Sequence, residues 1–396
     1  MAILPLLQQQ QQGIKASRAD NDHASVFVHL PRLSLDWGHL KLSSPLANAM
    51  LAHQANCSAP LTEFRFRNRF GLGSDLHLWP IALCNAMEQG HRLVTLSHQW
   101  IYWDQVACGD RDNRFALPCY FGQVELQCPS DAAQVVDGVA TSNQPTLPKI
   151  YQGKGSITPR CVNVLARYGV ELDAIVDAGM EVLFSHVTPT VVEEARRQLR
   201  QVFGPHGIPL LSHLITVHIR WGDKHDEMNL VPMEAYVQAV RALEEAHQND
   251  MNNTFAPTHI YLASEDPSAI QEFLGLAPRH WKIHVEAYYE QFAPHRVEGY
   301  NGNPRMTAAL QGRPGLVALA SALVALEASS FVLTTSSNWS RLLDELRRVV
   351  VQAQRGPTRL VDLRPLLDNQ NHNNKRNDIR TEGISDEAVA LIRKLL

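Results

Sequence analysis

Nothing in this chain is long and apolar. No hydrophobic run approaches the ~20 residues that cross a bilayer, and the opening Met1 to Leu7 is too short and uncharged for a secretory signal, so a soluble chain is expected. Charge of one sign is also missing. With 36 basic against 40 acidic residues the formal net charge is −4, which leaves no basic footprint for a phosphate-rich polymer and excludes nucleic acid as an expected partner. There is no C-x-x-C pair, no zinc-ligand spacing and no H-E-x-x-H, and His225-Asp226-Glu227 has no helical i, i+4 partner. Gly153-Lys154-Gly155-Ser156 lacks the earlier glycine of a phosphate-binding loop. Cysteine is absent after Cys161: Cys57, Cys84, Cys108, Cys119, Cys128 and Cys161 all precede it. That clustering fits disulfides made in an oxidising compartment and fits reduced core cysteines equally well.

What is present is room for two domains, 396 residues at 45% apolar content. Residues 1–20, with the glutamine tract 8–12, read as a flexible tail. Residues 21–206 read as an N-terminal α/β domain on the acceptor side, with a strand around Phe64 and Phe66, a Gly71-Leu72-Gly73 turn, and a helix with Ser74 as N-cap and Pro80 as a kink or late start. Residues 103–160 look like long loops, and a helix is expected from Thr188, as N-cap, and Pro189. Residues 207–380 alternate regularly: strands 214–219, 259–263, 281–285 and 331–335, helices 232–247, 267–275, 315–328 and 339–353. Such alternation predicts a doubly wound parallel sheet. Asn301 to Pro314 reads as a loop, 368–380 as a polar linker, and 381–396 as a short C-terminal helix.

The second domain carries the candidate chemistry. Leu214 to Ile219 runs apolar and then stops at Arg220, Asp223, Lys224 and Glu227, as a buried strand does when it delivers polar groups to a sheet edge; an ordinary strand with a charged turn gives the same spacing. Ser264-Glu265-Asp266 and Thr334-Thr335-Ser336-Ser337-Asn338 close two further strands, though Asp266 is also a ready helix cap and the hydroxyl run also suits capping. In one parallel sheet these three ends emerge on the same edge, where nucleotides bind. Gly71 and Gly73 bring backbone N–H groups to a helix N-terminus, a weak anion signal that tight packing explains as often. Asp110-Arg111-Asp112 matches the D-x-D of metal-dependent glycosyltransferases, and equally a solvated turn. Sequons at Asn56, Asn252 and Asn338 permit glycosylation.

His218-Ile219-Arg220-Trp221-Gly222-Asp223-Lys224 resembles the H-V-R-R-T-D-K motif of the α1,6-fucosyltransferases, relatives of the Nod-factor and protein O-fucosyltransferases. Further similarities follow in order. Gly71-Leu72-Gly73 with Leu76-His77 resembles G-Y-G-x-x-L-H, Gln99 to Tyr102 resembles N-W-R-Y, Tyr261 to Ser268 resembles Y-L-A-T-D-D-P-S, and Phe331 to Arg341 resembles F-L-V-C-T-F-S-S-Q-V-C-R. The resemblance implies a GT-B-like enzyme of two Rossmann-like lobes, inverting and metal-independent, with GDP-fucose as donor substrate and no cofactor. It implies that Arg220 clamps the β-phosphate, His218 touches guanine, Tyr102 and Ser337 touch the diphosphate, and Asp223, Gly71, Gly73, Asp266, Ser336 and Asn338 complete the donor site. Glu227 falls at the catalytic base, with Lys224 beside it. The chain departs from the pattern at Trp221, for the second arginine, at Glu265, for the first strand-end Asp, and near Ser321 or Ala322, where a guanine-reading aspartate is expected. The acceptor implied is a glycan hydroxyl, the 6-OH of core GlcNAc of an N-glycan or a chitooligosaccharide-like sugar, and the location is the Golgi lumen, although no membrane anchor is visible in the chain. Oligomeric state is left open. A divergent transferase using another nucleotide sugar, and a catalytically silent glycan- or nucleotide-sugar-binding homologue, are the rival expectations.

Overall fold

The computed structural model describes residues 33–66, 70–96, 100–109, 115–129, 149–150, 161–205, 213–222, 230–250, 257–297, 302–363 and 379–394. The expected tail 1–20 lies outside them. Two sheets organise what is described. The smaller holds β1 (Leu61–Arg65), β2 (Arg92–Leu96) and β3 (Lys149–Ile150) in the order β2-β1-β3, all parallel. Helix Leu72–Glu88 crosses from β1 to β2 and buries Leu76, Trp79 and Leu83. Its cap is the extended backbone of Gly71; Ser74 sits inside the first turn and is not the cap. Pro80 lies within the helix, where it removes a backbone bond. Its ring packs on Gly179 of helix Leu172–Phe184, where a Cβ would come within 2.5 Å of Pro80. Helix Pro189–Phe203 starts as expected, but the Thr188 hydroxyl donates to the Cys119 carbonyl at 2.5 Å instead of capping. All six cysteines are paired, Cys57–Cys128, Cys84–Cys161 and Cys108–Cys119, which decides the open alternative in favour of disulfides.

The larger sheet holds β4 (Leu214–His218), β5 (His259–Ala263), β6 (Lys282–Val285), β7 (Ser330–Leu333), β8 (Arg359–Asp362) and β9 (Arg380–Glu382) in the order β6-β5-β4-β7-β8-β9. Neighbours are parallel except β8 and β9. This is an α/β fold with a doubly wound C-terminal sheet, as the alternation of elements predicts. Side chains alternate between two cores with the period of a strand. Leu214, Tyr261, Phe331, Leu333 and Leu360 face the core shared with the N-terminal elements and helix Arg313–Ala325. Ile215, Val217, Ile260, Leu262, Val332 and Val361 face the opposite core, covered by helices Met233–Asp250, Pro267–Leu276 and Asp386–Arg393. Burial on both faces is why these strands read as continuous apolar runs.

Four of the elements that differ from the sequence reading lie in this half. The expected loop 301–314 contains helix Gly302–Ala309. Helix Asn338–Leu346 passes through a π turn, Arg347–Val351, before ending at Arg355. Strands β8 and β9 have no counterpart in that reading; β9 is only Arg380–Glu382, at the margin of the polar linker. What holds β9 is an ion network: fully buried Arg347 donates to Asp344 at 2.7 Å and to Glu382 at 2.8 Å, and Asp344 also pairs with Arg380. Among the described residues no single helix is long and apolar enough to cross a membrane.

Candidate nucleotide-binding cleft

The larger sheet reverses direction between β4 and β7, since β5 and β6 extend to one side and β8 and β9 to the other. Connections leaving neighbouring strands on opposite faces open a crevice at their carboxyl ends. A cleft with a cavity volume of about 140 Å³ lies there, lined by residues that follow β4, β5, β6 and β7.

His218 ends β4 and is 4% exposed. Its Nδ1 lies 2.6 Å from the Ser340 hydroxyl, which also accepts the Thr334 backbone N–H. Burial, reinforced by the charge of Arg220, pushes the imidazole down to about 3, so it is neutral at physiological pH. Arg220 follows, its side chain 13% exposed along the cleft. Its guanidinium donates to the Trp221 carbonyl at 3.0 Å and approaches Glu265 at 3.4 Å. Glu265, at the end of β5, is held in turn by the Asn303 amide at 2.5 Å.

Two helix N-termini complete the cleft. Gly71, Leu72, Gly73 and Ser74 open helix Leu72–Glu88, and Ser337, Asn338 and Trp339 open helix Asn338–Leu346. They abut: a Cβ on Gly73 would lie 3.2 Å from the Asn338 carbonyl, and the Asn338 amide donates to the Ser74 hydroxyl at 2.5 Å. Each terminus carries about half a positive charge, so facing ends favour an anion between them. Tyr102 closes the side, its phenol donating to the Phe70 carbonyl at 2.8 Å and its proton held by burial well above the usual phenol range. Its loop is pressed onto the start of helix Arg313–Ala325, where a Cβ on Gly315 would come within 2.3 Å of the Tyr102 carbonyl and one on Gly312 within 1.8 Å of the Trp103 carbonyl.

Of the residues named from sequence, Gly71, Gly73, Tyr102, His218, Arg220, Ser337 and Asn338 therefore meet in one cleft. Asp266 and Ser336 do not line it. Asp266 caps helix Pro267–Leu276, accepting from Ser268 N–H at 2.8 Å, and pairs with Arg296 at 3.2 Å, so its carboxylate is directed away; hydrogen bonds to Ser268 hold it below the usual range against burial. Ser336 is exposed at the turn. Asp223, Lys224 and Glu227 lie outside the described residues, as do Asp110 and Asp112. Trp221 donates its indole N–H to the Val231 carbonyl at 3.0 Å and packs against the far core, so the second-arginine position does not line the cleft. Of the two positions considered for a guanine-reading acid, Ser321 lines the cleft, donating to Gln198 at 2.8 Å, while Ala322 is core.

The sequence reading omits Glu286, Tyr288, Asn303 and Trp339, which also line the cleft. A signal for the first two existed: the strand at 281–285 was legible, and its carboxyl end belongs to the same edge as the other three. Asn303 was hidden by its assignment to a loop. Glu286 is 5% exposed, and burial with the nearby charge of Glu265 raises its carboxyl to about 8.

No family model matches the sequence, and no curated protein matches it. Among solved structures, the NodZ α1,6-fucosyltransferase soaked with GDP-fucose is similar over 83% of this chain and 100% of its own, at 13% identity and a TM-score of 0.41. The fucosyltransferase NodZ from Bradyrhizobium is similar over 82% of this chain and 99% of its own, at 12% identity and a TM-score of 0.39. FUT1 of Arabidopsis thaliana, in complex with GDP, is similar over 81% of this chain and 74% of its own, at 12% identity and a TM-score of 0.37.

Proposed function

We propose that the chain is an inverting glycosyltransferase that takes a nucleoside diphosphate sugar in this cleft, with GDP-fucose as donor and a glycan hydroxyl as acceptor. The observation that carries this reading is the convergence of Arg220 with two helix N-termini, at Gly71–Ser74 and Ser337–Trp339, on one cleft. That field suits a diphosphate, and it gains strength as charge develops on the leaving group. His218 offers a neutral imidazole in the same cleft as Arg220. The strand-end motif adds the remaining roles: Glu227 as the base that takes the acceptor proton, Lys224 beside it, and no metal in the step. The acceptor under this reading is core GlcNAc of an N-glycan or a chitooligosaccharide-like sugar, linked α1,6. The paired cysteines are in keeping with a secretory compartment such as the Golgi lumen.

Calorimetric titration with GDP, UDP and ADP tests the donor. Tightest binding of GDP, followed by fucose transfer that survives EDTA, is the expected result. A different nucleotide sugar is the second reading, favoured by the Ser321 hydroxyl in place of an acid; preference for UDP or ADP selects it. Absence of binding to all three sinks both.

A further inference from the structure

The cleft holds two carboxyl groups, and the charges around them do not suit two ionised ones. Glu265 is placed as an anion: it approaches Arg220 at 3.4 Å and accepts from Asn303 at 2.5 Å. Glu286 leaves β6 into the same cleft, is nine-tenths buried, and has the backbone N–H of Ser264 beside its carboxyl. Glu265 at the end of β5, Tyr261 of β5 and Tyr288 on the following helix act on it, and Arg220 and His218 from the end of β4 and Tyr102 line the same cleft. Arg220 and Glu265 cancel each other. An ionised Glu286 would therefore use up the roughly one positive charge that the two helix N-termini supply for an incoming phosphate. Like charges sharing a buried site are resolved by one group keeping its proton. A carboxyl kept neutral has an O–H to donate, which an anion can use.

We propose that Glu286 meets the bound nucleotide as a neutral carboxylic acid and donates a hydrogen bond to a phosphate oxygen on the Arg220 side of the cleft. This rests on the nucleoside diphosphate reading above and is independent of which base and sugar the cleft accepts. Burial and Glu265 hold the free carboxyl at about 8, so near pH 8.5 much of the unliganded protein has lost this proton. An anion that accepts from the carboxyl raises its proton affinity further, and binding then draws a proton from solvent. A carboxylate that instead accepted from a base or a sugar hydroxyl would release a proton on binding near pH 7. The two roles differ in sign.

The test is calorimetry of GDP, and separately of inorganic pyrophosphate, at pH 7.0 and about 8.5, in buffers of different ionisation enthalpy, on wild type and Glu286→Gln. Expected is net proton uptake at the higher pH that is absent from the Gln variant, with wild-type affinity falling about ten-fold per pH unit above 8 and the variant's pH profile flat. Glu286→Ala, which keeps no donor, should weaken both ligands by about ten-fold at pH 7.0. Proton release at pH 7.0, or an uptake that persists in Glu286→Gln, overturns the proposal. Pyrophosphate separates this outcome from the donor assignment: uptake with pyrophosphate and no preference for GDP supports Glu286 while refuting the GDP-fucose reading.

Discussion

Replacing Gly312 by alanine tests whether the loop bearing Tyr102 is held over the cleft by direct backbone contact. Gly312 has φ +81, and a Cβ there would lie 1.8 Å from the Trp103 carbonyl oxygen, 2.3 Å from its carbon and 2.9 Å from Asp104 N. These are backbone atoms, so no side chain can swing aside; the loop must move from the start of helix Arg313–Ala325. An alanine at positive φ costs about 1–2 kcal/mol, and overpacking a tight contact costs about 1–3 kcal/mol more. At ~2.1 cal/mol/K of unfolding entropy per residue, a chain of 396 residues loses roughly 1.2 °C per kcal/mol, so the midpoint should fall by about 2–6 °C. Gly90→Ala is the control, since φ there is +70 and nothing lies within 4 Å; it carries the backbone cost alone. Thermal unfolding followed by circular dichroism measures both. Because Tyr102 lines the cleft next to the displaced segment, Gly312→Ala should also weaken GDP binding by about five-fold, on the order of 1 kcal/mol. A Gly312→Ala protein that melts with Gly90→Ala and binds GDP like wild type would refute the reasoning.

Arg220→Ala should weaken GDP about 10- to 150-fold, the ~1.5–3 kcal/mol of a charge-assisted hydrogen bond, with Arg220→Lys intermediate; unchanged calorimetric affinity would remove Arg220 from the phosphate site. Asp266→Ala should cost about 1 kcal/mol of stability through its lost helix cap and leave GDP affinity as it was, so a ten-fold weaker affinity would place Asp266 in the site after all. His218 ionises at about 3 when folded and near 6.5 when unfolded, so the unfolded chain gains a proton first and stability from the neutral ring is lost as pH falls from about 6.5 toward 3. Chemical denaturation of wild type and His218→Gln at pH 7 and 4 should show their difference shrinking by up to several kcal/mol; a constant difference contradicts a buried neutral imidazole. Reduction should destabilise the N-terminal half, by roughly 4 kcal/mol for each of the bridges spanning 71 and 77 residues and about 3 kcal/mol for the one spanning 11, and an unfolding midpoint indifferent to reductant would show the pairs are not formed in solution.

Periodicity was sufficient where one strand or one helix decides its own fate. The apolar runs at Leu214, His259 and Phe331 and the amphipathic stretch from Met233 were legible because burial against a core imposes a repeat of 2 or 3.6 on any sequence that survives there. Three strand ends could be placed on one edge for the same reason: parallel strands must emerge together. What carries no local period was out of reach. Strand β9 is three residues long and exists because a buried arginine from another helix fixes it. The sequence could name Asp266 as both a cap and a ligand, and only the packed chain shows its carboxylate turned to Ser268 and Arg296. It could not say that two helix N-termini more than 260 residues apart face one another, nor that Glu286 shares a closed space with Glu265. Residue type and spacing determined which elements form and which groups have chemistry to offer. Their charges, and so what the groups do, were decided by burial and by neighbours that only folding brings within reach.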